Sequence, residues 1–192
     1  MDRAEFFRRQ YEAKFGGKYS RSGPGSEGIY AVLKSDFVIR CIQTIEAKTL
    51  LDIGCGDFYW MKHVVGNLER YYGLDIVQEL VDQNQEKYDP EARRWIFTRL
   101  DLMELTPSGE DLVVCFDVTQ HLLEEELEHL VQILCASKYF AVNTAPGKPY
   151  TEKGRWHPCD ISMHHKFNAQ LIFRETLPAK TRYDLCLYKG VL

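Results

Sequence analysis

Four acids sit where this chain's pattern places the tips of neighbouring strands: Asp52, Asp75, Asp101 and Asp117. Asp52 lies in Thr49-Leu-Leu-Asp-Ile-Gly-Cys-Gly56, a short apolar run closed by glycines that let backbone approach a ligand without a side chain in the way. Asp75 stands 21 positions beyond Gly54, at the end of Tyr71-Tyr-Gly-Leu-Asp75, where a carboxylate can accept two ribose hydroxyls. The carboxylate of Asp101 can accept from an adenine amine while the Leu102 N–H faces a ring nitrogen. Asp117 ends Asp111-Leu-Val-Val-Cys-Phe-Asp117. Open α/β sheets bind ligands outside the carboxyl ends of their strands, near the point where strand order reverses. These tips therefore describe a cradle for one nucleoside ligand. A helix expected from Phe58 toward Val65 adds unpaired N–H groups and a positive dipole end, which suit a carboxylate.

A Gly-x-Gly turn alone does not identify the ligand, since nicotinamide and flavin enzymes use it too. The dinucleotide fingerprint needs a third glycine so that a helix can pack beneath a pyrophosphate, and that position is Tyr59. Asp52, two residues before Gly54, would repel a pyrophosphate but matches the ammonium of an amino acid. The pattern thus favours an adenosyl amino acid, a methyl donor, over a dinucleotide.

The elements that hold these tips alternate along the chain. Phe6, Phe7, Tyr11 and Phe15 among basic residues predict a short amphipathic helix, ended by Gly16-Gly17. Tyr19 to Gly28 is rich in Gly, Ser and Pro and predicts a loop with unusual backbone angles, in which Tyr19, Ser22, Gly25 and Ser26 could close over a ligand. From Ile29, apolar residues at steps of three and four predict a helix packed on a sheet. Strands follow at 49–53, 71–75, 94–100, 111–117 and 139–144. Helices are expected over 78–88, stopped by Asp89-Pro90, and over 119–135, with Leu123, Leu127, Leu130, Val131 and Leu134 on one face. Near-continuous apolar strands between amphipathic helices mean a mostly parallel sheet covered on both faces. Residues 145–167 read as a long polar loop, and 170–177 with 182–189 as a closing antiparallel hairpin.

At 192 residues, 45% of them hydrophobic, the chain fits one domain: an N-terminal helix and lid loop (1–28), a cofactor-binding core (29–145), and a substrate loop with the hairpin (146–192). No apolar run reaches the roughly 18 residues that span a bilayer, and the charged opening lacks the marks of a secretory leader, so a cytoplasmic location is expected. The six cysteines lack zinc spacing and are expected to be reduced thiols. Lys138 to the end carries nine Lys/Arg against four Asp/Glu, net +5, so the first 137 residues carry −9 of the overall −4. That asymmetry is either ordinary solvated charge or a preference for an anionic acceptor near the C-terminal loop.

Leu50-Leu-Asp-Ile-Gly-Cys-Gly56, Tyr72-Gly-Leu-Asp-Ile76, Thr98-Arg-Leu-Asp-Leu102 and Asp111-Leu-Val-Val-Cys-Phe-Asp-Val118 resemble, in order and spacing, the cofactor motifs of class I S-adenosylmethionine-dependent methyltransferases. The resemblance covers about residues 29–145. It implies an α/β, Rossmann-like three-layer sandwich whose seven-stranded, mostly parallel sheet has its last strand antiparallel. It also implies S-adenosyl-L-methionine as cofactor and S-adenosyl-L-homocysteine as product. By the same resemblance, Asp52, Gly54, Cys55, Gly56 and Asp57 surround the methionine part, Asp75 and Ile76 hold the ribose, and Asp101 and Leu102 hold the adenine. Asp117, Val118 and His121 line the floor between cofactor and acceptor. Gly56-Asp57, Asp117-Val-Thr-Gln-His-Leu122 and Trp156-His-Pro-Cys-Asp-Ile161 look like stretches of small bacterial-type stand-alone methyltransferases, some associated with surface-glycan modification.

A sulfonium methyl is already electrophilic, so a protein needs mainly to align the acceptor and exclude water. For a hydroxyl of a small molecule or saccharide, His121 and Asp117 are the candidate bases. Asn143, Trp156 and His157 are the candidate acceptor contacts. His157, Asp160, His164 and His165 lack the spacing of a ligand set, so no metal is expected. Two other readings stand: a donor-binding module that serves a partner protein, and a nucleic-acid methyltransferase. The latter is disfavoured because Asp117-Val-Thr-Gln replaces the proline-containing amino-methylation motif and no strong basic stripe is present.

Overall fold

A computed structural model of the chain describes residues 3–14, 17–107, 109–144, 159–177 and 183–191. Seven strands form one sheet in the order β3-β2-β1-β4-β5-β7-β6. They are β1 (Thr49–Ile53), β2 (Arg70–Asp75), β3 (Trp95–Arg99), β4 (Leu112–Cys115), β5 (Tyr139–Thr144), β6 (Ala169–Leu177) and β7 (Tyr183–Gly190). The first five run parallel, and β7 pairs antiparallel with both β5 and β6. Strand order reverses between β1 and β4, where Asp52 faces Gly73 on one side and Val114 on the other. This is the crevice in which a sheet of this kind holds its ligand.

Helices α1 (Arg3–Glu12), α2 (Gly28–Ile45), α3 (Gln78–Tyr88) and α4 (Glu124–Cys135) position that crevice. One face of the sheet buries Phe37, Val38 and Cys41 of α2 with Val81 of α3 against Leu50, Tyr71, Leu112 and Val114. The other buries Leu127, Leu130, Val131 and Leu134 of α4 against Leu51, Ile53, Val113 and Phe140. Tyr11 and Phe7 of α1 join Ile76, Val77 and Leu80 in a smaller cluster at the tip of β2. The six cysteines are free thiols, and no helix of the described residues is long and apolar enough to cross a membrane.

Two expected helices differ. In place of an α-helix from Phe58, the chain makes two 3-10 turns, Met61–His63 and Val65–Asn67. Phe58 takes a left-handed φ of 57° that stops helix growth from the loop. What anchors it there is its ring, packed among Tyr71, Tyr88, Trp95 and Phe97 at 5.0–5.7 Å. Val64, Val65 and Gly66 are also poor helix formers. The dipole end expected after Gly56 is therefore absent, and the amides of Gly54 and Cys55 donate instead to the Leu74 carbonyl. Replacing Phe58 by alanine empties this aromatic cluster. We expect Phe58→Ala to lower stability by about 3–5 kcal/mol, read as a fall in urea midpoint with the slope unchanged.

The segment 119–135 is also divided. A 3-10 turn at Thr119–His121 is followed by extended Leu122 and Leu123, and α4 starts only at Glu124, with the Leu123 N–H donating to the Glu126 carboxylate. Three glutamates in the first turn of α4 complement its positive end. His121 therefore sits in a turn at the strand tip.

Candidate active site

A cavity of about 510 Å³ opens over the carboxyl ends of β1, β2 and β4, within the usual size range of small-molecule sites. It straddles the sheet edge. Leu102, Leu105 and Leu122 come from the core on the α4 face, and Phe116, Trp60 and Tyr30 from the core on the α2 face. Of the residues expected at the site, Asp52, Gly54, Cys55, Asp57, Asp75, Ile76, Leu102, Asp117, Val118 and His121 line it together.

The loop after β1 needs its glycines. Gly54 has φ 77°, and a Cβ there would run into the Val118 side chain. Gly56 has φ 56°, and a Cβ there would collide with the Ser22 hydroxyl. Gly56 stands behind the wall, its N–H donating to Asp75 at 3.0 Å and its carbonyl accepting from Asn84 at 2.8 Å. Asp57 organises the loop before α2 by accepting from the Ser20 and Ser22 hydroxyls and, at 2.7 Å, from the Arg21 N–H. Ser22, Gly25 and Ser26 line the cavity as expected, whereas Tyr19 is 63% exposed and lies outside its wall.

Asp52 is buried and accepts from the Tyr71 hydroxyl at 2.8 Å. Burial pushes its carboxyl up to about 7, although the Tyr71 hydrogen bond acts the other way. An acid raised in this way is one that a cation entering the cavity will ionise.

Asp75 and Asp101 are less open than their strand-tip positions imply. Asp75 is 5% exposed and accepts from the N–H groups of Gly56 and Val77 and, at 3.3 Å, from the Tyr11 hydroxyl of α1. Burial raises its carboxyl above the ordinary range. Asp101 turns to Arg3 of α1, which also bridges to Glu126 at 2.7 Å, and caps the Met103 N–H. Leu102, not the Asp101 side chain, faces the cavity. In both cases α1 supplies the partner that the strand tips alone cannot show.

The two candidate bases have different surroundings. The His121 ring stands edge-on to Phe7 at 5.7 Å, beside the α4-face leucines. Asp117, at φ 60°, receives the ammonium of Lys34 and the Asn143 amide at 3.2 Å, while its own N–H donates to Asn143 at 2.8 Å. Asn143 is thus a buried support behind Asp117 rather than a wall residue. Lys34 was not anticipated. It is 1% exposed on the apolar stripe of α2, donates to the Gly25 carbonyl at 2.7 Å, and lies 5.9 Å over the Trp60 ring. A lone cation on that stripe, four residues after Tyr30 and three before Phe37, was its signal in the sequence. Trp156 and His157 lie outside the described residues. Among the described residues, no group of three or more His, Cys, Asp or Glu is arranged to hold a metal ion.

A family profile described as a methyltransferase domain matches residues 50–136. A curated relative, the small RNA 2'-O-methyltransferase of Gallus gallus, is 27% identical over 113 residues. That match takes in 52% of this chain and 30% of the relative, so the chain corresponds to about a third of that protein's length. Among solved structures, magnesium protoporphyrin IX methyltransferase from Synechocystis PCC 6803 with bound SAM is similar with a TM-score of 0.69 and 16% identity, over 100% of this chain and 98% of that one. The N-methyltransferase NodS from Bradyrhizobium japonicum WM9, in complex with S-adenosyl-L-homocysteine, gives a TM-score of 0.72 at 10% identity, over 98% and 99%.

Proposed function

We propose that this chain, which has the fold of the methyltransferases it resembles and matches a methyltransferase-domain profile over residues 50–136, is a class I S-adenosylmethionine-dependent methyltransferase that methylates a hydroxyl on a small molecule or saccharide. The observation that carries this reading is one cavity at the switch point of the sheet with a buried acid, Asp52, in its lining and, on one wall, the buried Lys34 ammonium paired with the partly exposed Asp117. When bound, S-adenosylmethionine supplies a sulfonium-activated methyl group and leaves as the neutral thioether. Asp52 holds the amino-acid ammonium, Asp75 and Ile76 hold the ribose, and Leu102 packs on the adenine. Gly54 and Val118 set how closely the ligand approaches the sheet edge. Asp117, fixed by Asn143, takes the acceptor's proton, while His121 packs with Phe7 against the adenosyl end. The lid loop held by Asp57 excludes water.

Transfer of label from isotopic donor into glycan and metabolite extracts tests the reading. Incorporation into a hydroxyl-bearing compound is the expected result, and persistent absence of incorporation counts against it. His121→Phe keeps the ring packing and is expected to retain transfer within roughly tenfold, below the loss typical of removing a general base.

Asp52 makes donor binding pH-dependent. Below about 7 its carboxyl holds a proton, and an ammonium placed against it expels that proton. Affinity for S-adenosylhomocysteine is therefore expected to rise with pH up to about 7 and to level off above it, with Asp52→Asn removing the slope; calorimetry across pH reads both. The linkage to stability has the opposite sign. The folded carboxyl is raised above its unfolded value, so this group's contribution is fully present below about pH 4 and is lost as pH rises through about 7.

A second reading, an RNA 2'-hydroxyl as acceptor, is favoured by the curated relative. Against it, Arg8, Arg9, Arg40, Lys138 and Lys166, among the described residues, pair with carboxylates of this chain, which lowers the positive charge they offer a phosphate backbone. Label appearing in small RNA instead of metabolites would establish it.

A further inference from the structure

We infer that the α2-face part of the cavity is the acceptor compartment, and that it takes a planar aromatic ring bearing an acidic hydroxyl whose oxygen accepts from Lys34 and whose hydrogen faces Asp117. This rests on the methyl-transfer reading and goes on to the class of acceptor. Tyr30 and Lys34 stand one helical turn apart on α2 and both line the cavity. Trp60 and Phe116 stack at 5.9 Å with 19° between their planes, giving this end flat apolar walls. Over that wall lies the Lys34 ammonium, almost fully buried.

An ammonium has three donors. Lys34 spends one on the Gly25 carbonyl and one on Asp117, which leaves the third for an oxygen entering beside Trp60. Burying an ammonium is costly even when it is paired, and its charge favours an oxygen that can carry negative charge. A phenol ionises near the tyrosine value of about 10, whereas water, and with it a simple alcohol, needs a pH of about 16. A flat ring also buries its face on Trp60 and needs few polar partners. A saccharide brings several hydroxyls, each needing a partner, and the facing planes of Trp60 and Phe116 offer none.

The test uses the whole chain loaded with S-adenosylhomocysteine and 4-nitrophenol as probe, because the probe's absorption reports its own ionisation. The expected results are saturable binding and, in an Asp117→Asn background that removes the opposing carboxylate, a bound phenol that ionises about one pH unit or more below the free probe, as an opposite charge within a few ångströms produces. Lys34→Met should abolish that shift, Lys34→Arg should keep it, and Trp60→Leu should weaken binding roughly tenfold. Should Lys34→Met not fold, the Arg and Leu variants carry the test. Product binding with no saturable 4-nitrophenol binding, or an unshifted titration, overturns this inference alone. Failure to bind S-adenosylhomocysteine overturns the methyl-transfer reading and this one together.

Discussion

Gly54→Val is expected to weaken S-adenosylhomocysteine binding roughly 100-fold. Two costs add. A β-branched residue is forced to φ 77°, and its first side-chain atom meets Val118, the residue that forms the facing wall of the crevice. Either Val118 moves into the ligand's space or the β1 loop lifts away from the sheet edge, and both spoil the same surface. An unfolding curve taken alongside separates this from a collapse of the fold, because β1 itself keeps its pairing with β2 and β4. Retention of affinity within about threefold would mean that the ligand does not approach this turn.

The second large effect concerns rate. Asp117→Asn is expected to lower transfer about 100- to 1,000-fold, the scale of a lost general base, while leaving product affinity nearly unchanged. Asparagine keeps an oxygen toward Lys34, although its NH2 group then meets the Asn143 NH2 and that contact is lost, so a urea midpoint is read beside the rate. Asp117→Ala should behave differently. It strips the partner from a buried ammonium and is expected to cost about 3–5 kcal/mol of stability. Initial rates with labelled donor, paired with urea midpoints, distinguish the two. Equal rates for wild type and Asp117→Asn would remove proton transfer from this residue.

Much of the scaffold was legible in the sequence because parallel strands buried on both faces read as apolar runs. Tyr139–Thr144 and Gln78–Tyr88 are observed over the residues their patterns predict, and the hairpin differs by a residue at its ends. Part of the cavity lining was legible for a similar reason: Gly54, Asp75 and Asp117 stand at strand ends, and strand ends follow from strands. What was not legible depends on long-range contacts. Phe58 prefers a left-handed turn because four aromatic rings from β2, α3 and β3 enclose it, and nothing within Asp57-Phe-Tyr-Trp60 announces that. Asp101 and Asp75 read as open acids, yet Arg3 and Tyr11 reach them from 98 and 64 residues away. Lys34 stands out in the sequence only as a cation on an apolar stripe, and its value lies in pairing with Asp117 across 83 residues of chain. Local pattern places side chains at the crevice, and only the packed fold decides which of them are already engaged.

Titration calorimetry of the purified chain with S-adenosylhomocysteine probes the core of the account most directly. One saturable site is predicted, weakened roughly 100-fold in Gly54→Val and growing stronger as pH approaches 7. Heat from NAD with none from the homocysteine compound would contradict it.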